Sequence, residues 1–221
     1  MQLNNTKNKK IYCSHGFTSY ANWIVNLDGF ELTHKRDEAD ILLFAGGKDI
    51  DTKFYGEQKG KYTDSRNQRD VVEFGDFQYG LTNKLPIVGI CRGAQLACAL
   101  SGGKLIQHVT NHQCYHKMET KDGITMTINS LHHQMLNPFV MDKSNYDILG
   151  WAKKNLSTTY LNGHNKETSL PLTFVEPEIV YFPKTKSLAY QYHPEMMFNG
   201  PENETINYTQ QIFLKFINNQ L

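Results

Sequence analysis

Residues 86–95 read Pro-Ile-Val-Gly-Ile-Cys-Arg-Gly-Ala-Gln, and no other stretch constrains the fold as tightly. A short apolar run suited to a buried strand enters Gly89-Ile90-Cys91-Arg92-Gly93, and helix-forming sequence follows at once until Gly102-Gly103 stops it. Glycines two residues before and two after a nucleophilic side chain are the pattern of a nucleophile elbow. The turn forces the central residue into a strained backbone conformation, and the glycines remove Cβ atoms that would clash. A thiol there points beyond the carboxyl end of its strand, where the crevice of an open α/β sheet lies. The helix behind it presents free N–H groups and a positive dipole end, which favour the thiolate. The pattern also suits a small buried residue between two packing glycines, and the turn alone does not separate the two readings.

The rest of the chain supplies the layers such an elbow needs. "KIYCS", "GFELTH", "ADILLFAGG" and "LPIVGI" read as strands, alternating with helical spacing in "SYANWIVNL" and "NQRDVVEFGDFQYGLTN". In the latter, Val71, Val72, Phe74, Phe77 and Leu81 recur at three and four and predict an apolar face. After "AQLACALSGG" the pattern changes to strand-like "KLIQHV", "GITMTINS", "YDILGWA", "LTFVEPEIVYF" and "SLAYQYH", and "ETINYTQQIFLKFINNQ" closes the chain as an amphipathic helix. The expected fold class is α/β: a mainly parallel central sheet flanked by helices, flavodoxin-like, with extra antiparallel strands in the C-terminal half. No repeat or low-complexity linker interrupts the 221 residues, so one domain over 1–221 is expected.

Composition narrows the classes. A formal net charge of +1 gives no basic face for nucleic acid. The longest apolar runs are too short to cross a bilayer, and "MQLNNTKNKK" lacks the apolar core of a signal peptide. The 4 cysteines, Cys13, Cys91, Cys98 and Cys114, have no paired spacing, which suits free thiols in a reducing compartment. A cytoplasmic protein is expected.

A thiolate that performs acyl transfer needs a histidine to move the proton and a carboxylate to orient that histidine. Of 9 histidines, His193 in "AYQYHPEMM" is best placed, at the end of a predicted strand that Pro194 stops. Residues i and i+2 share a face in extended backbone, so Glu195 can accept the Nδ1–H of His193. "HVTNHQCYHKM" offers His108, His112, Cys114 and His116. Their spacing fits no established ligand pattern, the segment reads as a loop rimming the crevice, and no metal is expected. In "NSLHHQ", His132 and His133 face opposite ways if extended, so at most one reaches the site.

"GICRGAQ" followed far downstream by "QYHPE" resembles the class I glutamine amidotransferase-like superfamily, whose members cleave γ-glutamyl amides with a Cys-His-Glu triad. "GGKDIDTKFYGE", "RDVVE", "GICRGAQ", "INSLHHQ" and "QYHPE", in that order, are similar to the γ-glutamyl hydrolase-like branch, from about Ala39 to about Met197. That branch includes folate polyglutamate hydrolases and γ-glutamyl-γ-aminobutyrate hydrolases. The resemblance implies Cys91 as nucleophile, His193 as base and Glu195 as orienter. It implies an oxyanion hole from the backbone N–H groups of Gly47 and Arg92, where rigid donors contribute about 3 kcal/mol each. It places Gln95 near the γ-glutamyl group, although a purely structural amide fits that position equally. It lines the substrate pocket with Ser130 and His132, and it gives the Arg92 side chain a role in bracing the elbow. Thr52 stands where the branch usually has proline, Tyr192 where tryptophan is common, and the residues before Ala39 hardly resemble the branch.

The expected activity is hydrolysis of a γ-glutamyl amide to glutamate and an amine, through a thioester and with no cofactor. The alternatives are a glutaminase subunit that delivers ammonia to a separate synthetase partner, and an inactive binding or regulatory relative. The substrate is a small γ-glutamyl compound whose amine the sequence does not identify.

Overall fold

The apolar runs at Ile41–Phe44, Ile87–Ile90 and Ser187–Tyr190 become strands buried on both faces, as the middle of a parallel sheet under helices requires. The computed structural model describes residues 7–65, 67–197 and 203–221. The reading of the opening stretch as leaderless concerns residues 1–6 above all, and these lie outside the described residues. In chain order the strands are β1 (Lys9–Cys13), β2 (Phe30–Thr33), β3 (Ile41–Phe44), β4 (Ile87–Ile90), β5 (Lys104–Ile106), β6 (His108–Val109) and β7 (Tyr115–Thr120). They continue with β8 (Thr125–Asn129), β9 (Met135–Asn137), β10 (Asp147–Ala152), β11 (Tyr160–Leu161), β12 (Pro177–Phe182) and β13 (Ser187–Tyr190). The helices are α1 (Asn22–Val25), α2 (Asn67–Thr82), α3 (Arg92–Leu100), α4 (Pro194–Met197) and α5 (Asn203–Ile217).

Nine strands form one sheet in the order β2-β1-β3-β4-β13-β12-β10-β7-β8. The first five in that order run parallel, and each pairing from β13 outward is antiparallel. The fold class is thus the one the sequence implies. Alternation along β3 shows how both faces fill. Ile41 and Leu43 join Trp23 and the α5 residues Phe213 and Phe216 on one side, while Leu42 and Phe44 meet Phe77 of α2 and Leu96 of α3 on the other. Trp23 stands edge-on to Tyr190 and to Phe213, each at 5.6 Å, and fastens α1 and α5 to the sheet. "SYANWIVNL" gives only a 3₁₀ turn at Thr18–Ala21 and one turn of α1, because burying Trp23 and Ile24 against the sheet decides its path more than helical spacing does.

Two expectations need correcting. "HVTNHQCYHKM" is not all loop: from Tyr115 it is β7, whose residues alternate between exposed and buried. Helix α2 is where predicted but turned. Val71 and Phe74 are 62% and 39% exposed, whereas Asp70 and Glu73 are fully buried and Asp76 nearly so. Polar partners explain the inversion: buried Arg92 lies against Asp70 and Glu73, and the more exposed Arg36 with the buried Ser14 hydroxyl against Asp76. Charges with such partners tolerate burial, and they outweigh the apolar spacing.

The parallel register of β4 with β13 pairs Ile90 with Tyr190. It therefore sets the residues that follow each strand side by side at the carboxyl edge of the sheet. No helix among the described residues is long and apolar enough to cross a membrane.

Candidate active site

Cys91 sits between β4 and α3 at φ 52°, ψ −106°, a conformation that costs a non-glycine residue about 1–3 kcal/mol. Backbone bonds hold it there: its N–H donates to the Tyr190 carbonyl at 2.7 Å, and its own carbonyl accepts from Gln95 N–H at 3.0 Å. Both flanking glycines are required by close approach. A Cβ on Gly89 would overlap the Gly93 carbonyl, and one on Gly93 would overlap the Phe44 carbonyl of the neighbouring strand. Among the other thiols, burial pushes Cys13 and Cys98 up to about 12. Cys114 is exposed and donates to the Asn111 carbonyl at 3.3 Å.

His193 leaves the end of β13 and is bonded through Nδ1 to Glu195 Oε1 at 2.7 Å. The chain turns into α4 immediately after it, so the two side chains meet through a helix start rather than along a strand. The side-chain amide of Asn129, last residue of β8, clamps the His193 backbone from both sides. Asn129 Oδ1 accepts from His193 N–H at 2.8 Å, and Asn129 Nδ2 donates to the His193 carbonyl at 3.0 Å. Burial opposes a charge on His193, but hydrogen bonds and charges from Cys91 and Glu195 prevail and raise its pKa from 6.5 to about 10. The imidazolium is thereby favoured, which is the form that partners a thiolate. Tyr20 packs beside it, ring centroids 6.2 Å apart.

The loop after β3 approaches the elbow through Gly46 and Gly47. A Cβ on Gly46 would come within 2.8 Å of His193 Cε1, and Gly47 has φ +142°, open in practice to glycine alone. Arg69 of α2 fixes the loop: its guanidinium donates to the Ala45 and Gly46 carbonyls, both at 2.9 Å, and to Glu73 at 2.9 Å. In a trans peptide the carbonyl and the next N–H point oppositely, so holding the Gly46 carbonyl turns the Gly47 N–H away from Arg69. Glu73 also binds Arg92, the first residue of α3, as does Asp70, and Asp70 accepts from Asp51 N–H at 2.9 Å. One buried network thus ties the glycine loop, α2 and the elbow helix together. Both terminal nitrogens of the Arg92 guanidinium are engaged in it. Where Thr52 replaces proline, Asp51 caps a 3₁₀ turn at Thr52–Tyr55 by accepting from Lys53 N–H.

Of the other expected contacts, Gln95 and Ser130 are already hydrogen-bonded within the protein. Gln95 Nε2 donates to the Gln134 carbonyl at 2.9 Å. The Ser130 hydroxyl donates to the His112 carbonyl at 3.0 Å and meets His112 Nδ1 at 3.2 Å. His132 and His133 do part company. His133 reaches Asp49 at 3.1 Å, while His132 is buried and stacks on His112 at 4.5 Å. Burial first, then neighbouring His112, hold the pKa of His132 well below 6.5. Sequence reasoning missed Tyr20, Asn129 and the role of Arg69. Asn129 and Arg69 stand inside "INSLHHQ" and "RDVVE", two motifs already singled out, but nothing local ties either side chain to a distant backbone.

Comparison with known proteins bears on the whole arrangement. A model of the family described as Peptidase C26 matches residues 23–145, more than half of the chain, including Cys91 but ending before His193. A Schizosaccharomyces pombe protein named "Putative glutamine amidotransferase" is 28% identical over 134 residues, 50% of this chain and 53% of its own. The chain spans about a quarter to about half the length of the first curated relatives it matches. Two solved structures from Thermotoga maritima share the fold. A glutamine amidotransferase covers 95% of this chain and 96% of its own at TM-score 0.56 and 13% identity. PurLQS covers 95% of this chain and 100% of the matched one at TM-score 0.60 and 12% identity.

Proposed function

The chain belongs to the Peptidase C26 family, within the class I glutamine amidotransferase-like superfamily, and we propose that it is a cysteine hydrolase that releases glutamate from a γ-glutamyl amide. The observation that carries the reading is the strained elbow of Cys91 set beside His193, itself bonded to Glu195 at 2.7 Å. In this reading residues 1–221 act as a single domain. Four free thiols agree with a reducing, cytoplasmic setting.

The Cys91 thiolate attacks the γ-carbonyl carbon, and the tetrahedral oxyanion is met by the N–H groups of Gly47 and Arg92. The carbon–nitrogen bond breaks as His193 gives its Nε2 proton to the departing amine, leaving a γ-glutamyl thioester. His193, now neutral, takes a proton from water. The hydroxide adds to the thioester carbonyl, and the intermediate collapses by breaking the carbon–sulfur bond. Glutamate is released with a free γ-carboxyl while the proton taken from water stays on His193, which restores the thiolate–imidazolium pair. Glu195 holds the imidazole by Nδ1 throughout. Gln95 and Ser130 are assigned to the wall of the substrate pocket, where they hold the Gln134 and His112 segments, because their polar groups are engaged there.

A hydrolase assembles its oxyanion hole unaided, whereas a glutaminase subunit gains from waiting for a synthetase to complete the site. The Arg69 clamp on the Ala45 and Gly46 carbonyls, present in the isolated chain, supports the hydrolase. The test is glutamate release by the purified chain from a panel of γ-glutamyl amines and from glutamine. Faster turnover of at least one γ-glutamyl amine than of glutamine is expected. Glutamate formed only from glutamine, and only after a synthetase and its acceptor are added, would replace this reading with the amidotransferase one.

A further inference from the structure

Behind His193 three segments far apart in sequence bring electron-pair donors together. His112 comes from the connection between β6 and β7, His132 from that between β8 and β9, and Glu178 from β12. One ligating atom from each can be chosen so that all lie within 4.8 Å of one another. The residues are 1%, 5% and 0% exposed, so water does not solvate them as it would on a surface.

The partners of these atoms do not add up to a closed hydrogen-bond network. Among the described residues no well-formed hydrogen bond reaches either ring nitrogen of His132, only the Gln134 backbone lying near one of them, and Glu178 Oε2 has no partner. A buried polar atom without a partner costs about 1–3 kcal/mol, and here Glu178 Oε2 and a ring nitrogen of His132 are both in that state. The Ser130 hydroxyl gives its proton to the His112 carbonyl, so its oxygen is free to accept from His112 Nδ1–H. His112 Nε2 lies 3.2 Å from Glu176 Oε2, a contact that is a hydrogen bond only when that nitrogen carries a proton. A dication held by one nitrogen of His132 and by Glu178 Oε2 supplies both of those atoms with a partner.

We propose that His112, His132 and Glu178 are the ligands of a divalent transition-metal ion of the zinc class, bound beside the candidate triad. Two imidazoles and a carboxylate are the donor set of borderline cations, and they leave a fourth position open. Glu178 Oε1 accepts from His116 Nε2 at 3.1 Å, which orients the carboxylate as outer-shell partners orient ligands. Entry is available: His112 and His132 line an open cleft of about 630 Å³ whose rim includes His108, Cys114 and His133. Tetrahedral zinc holds its donors about 3.3 Å apart, so binding draws the side chains inward by on the order of 1 Å.

The test uses tag-free protein carrying Cys91→Ser, which removes the triad thiolate as a competing ligand, stripped with chelator. Zn²⁺ is titrated calorimetrically, and Co²⁺ is followed by its visible absorption. One ion per chain is expected. His132→Ala and Glu178→Gln should each weaken binding by more than about 100-fold, and His116→Ala by about 10- to 100-fold. Cys114→Ser should change nothing. Circular dichroism of each variant checks the fold, and the isosteric Glu178→Gln keeps the test decisive if His132→Ala unfolds. No saturable binding, or binding that survives both ligand substitutions, overturns the proposal. Neither result depends on the proposed activity.

Discussion

Two buried polar clusters adjoin the candidate triad, one beside Cys91 and one beside His193, and they differ in completeness. In the first, Arg69 and Arg92 face Asp70 and Glu73, charge balances charge, and among the described residues none of the four has a fully buried side-chain polar atom left without a partner. In the second, Glu176 and Glu178 face His112, His116 and His132, and among the described residues ring nitrogens of His116 and His132 and an oxygen of Glu178 have no well-formed hydrogen bond. A closed network holds backbone in place, which suits a loop that must keep an oxyanion donor aimed. An open one holds binding capacity in reserve. The same kind of substitution should therefore have opposite effects on the two sides.

The largest effect is expected at Arg92. Arg92→Met leaves Asp70 and Glu73 buried against one remaining arginine, and denaturant titration should show a loss of about 3–5 kcal/mol. The triple variant Arg92→Met, Asp70→Asn, Glu73→Gln should recover a large part of it. A loss below about 1 kcal/mol in the single variant would mean that the network is not closed.

Between the clusters stands His193. Glu195→Gln removes the anion on Nδ1 and should lower turnover by about 10²- to 10⁴-fold, with less effect on KM. It should also lower the pKa of His193, followed by NMR of the imidazole. The sign on stability follows from a folded pKa of about 10 against 6.5. The contribution of protonated His193 is fully present below about pH 6.5 and fades as pH rises through about 10, so the thermal-stability gap between wild type and Glu195→Gln should narrow over that window. A gap that widens there would place the charge elsewhere.

Arg69→Met asks whether the closed cluster acts on chemistry or on stability alone. Releasing the Ala45 and Gly46 carbonyls should mis-aim the Gly47 N–H and reduce kcat by about 10- to 100-fold while KM changes little. Equal loss in a Gly46 loop still ordered by NMR would sharpen the assignment, and unchanged kcat would remove it.

The smallest effect is expected on the open side. In chelator-treated protein His132→Leu replaces a partnerless imidazole with an apolar group of similar size, and stability should stay level or rise by about 1 kcal/mol. A loss of more than about 1 kcal/mol would show that His132 already has a partner and would erase the contrast between the clusters.

These clusters also mark where the sequence could be read and where it could not. Strands β3 and β4 were legible because strands buried on both faces must be continuously apolar, a reason that does not extend to the partly buried β1 and β2. The Cys91 elbow was legible because its glycines are local. Helix α2 was legible as a helix, yet its facing was not: Val71, Val72 and Phe74 look like a core stripe, and the cation that buries Asp70 and Glu73 arrives on α3. Strand β7 carries an alternation, His116, Met118 and Thr120 inward, that the surrounding histidines obscured. The convergence of His112, His132 and Glu178 depends on strand order alone, β12 lying two places from β7, and no spacing in the sequence encodes that.

The central claim is that Cys91 becomes acylated during turnover. The direct measurement is to quench the purified chain in mid-turnover with a γ-glutamyl amide at acid pH, digest it, and locate the adduct by peptide mass spectrometry. The account predicts a γ-glutamyl group on the peptide bearing Cys91, absent after Cys91→Ala, which should also cost about 10⁴- to 10⁶-fold in turnover without unfolding the chain. Full turnover by Cys91→Ala, or an adduct confined to Cys13, Cys98 or Cys114, would contradict it.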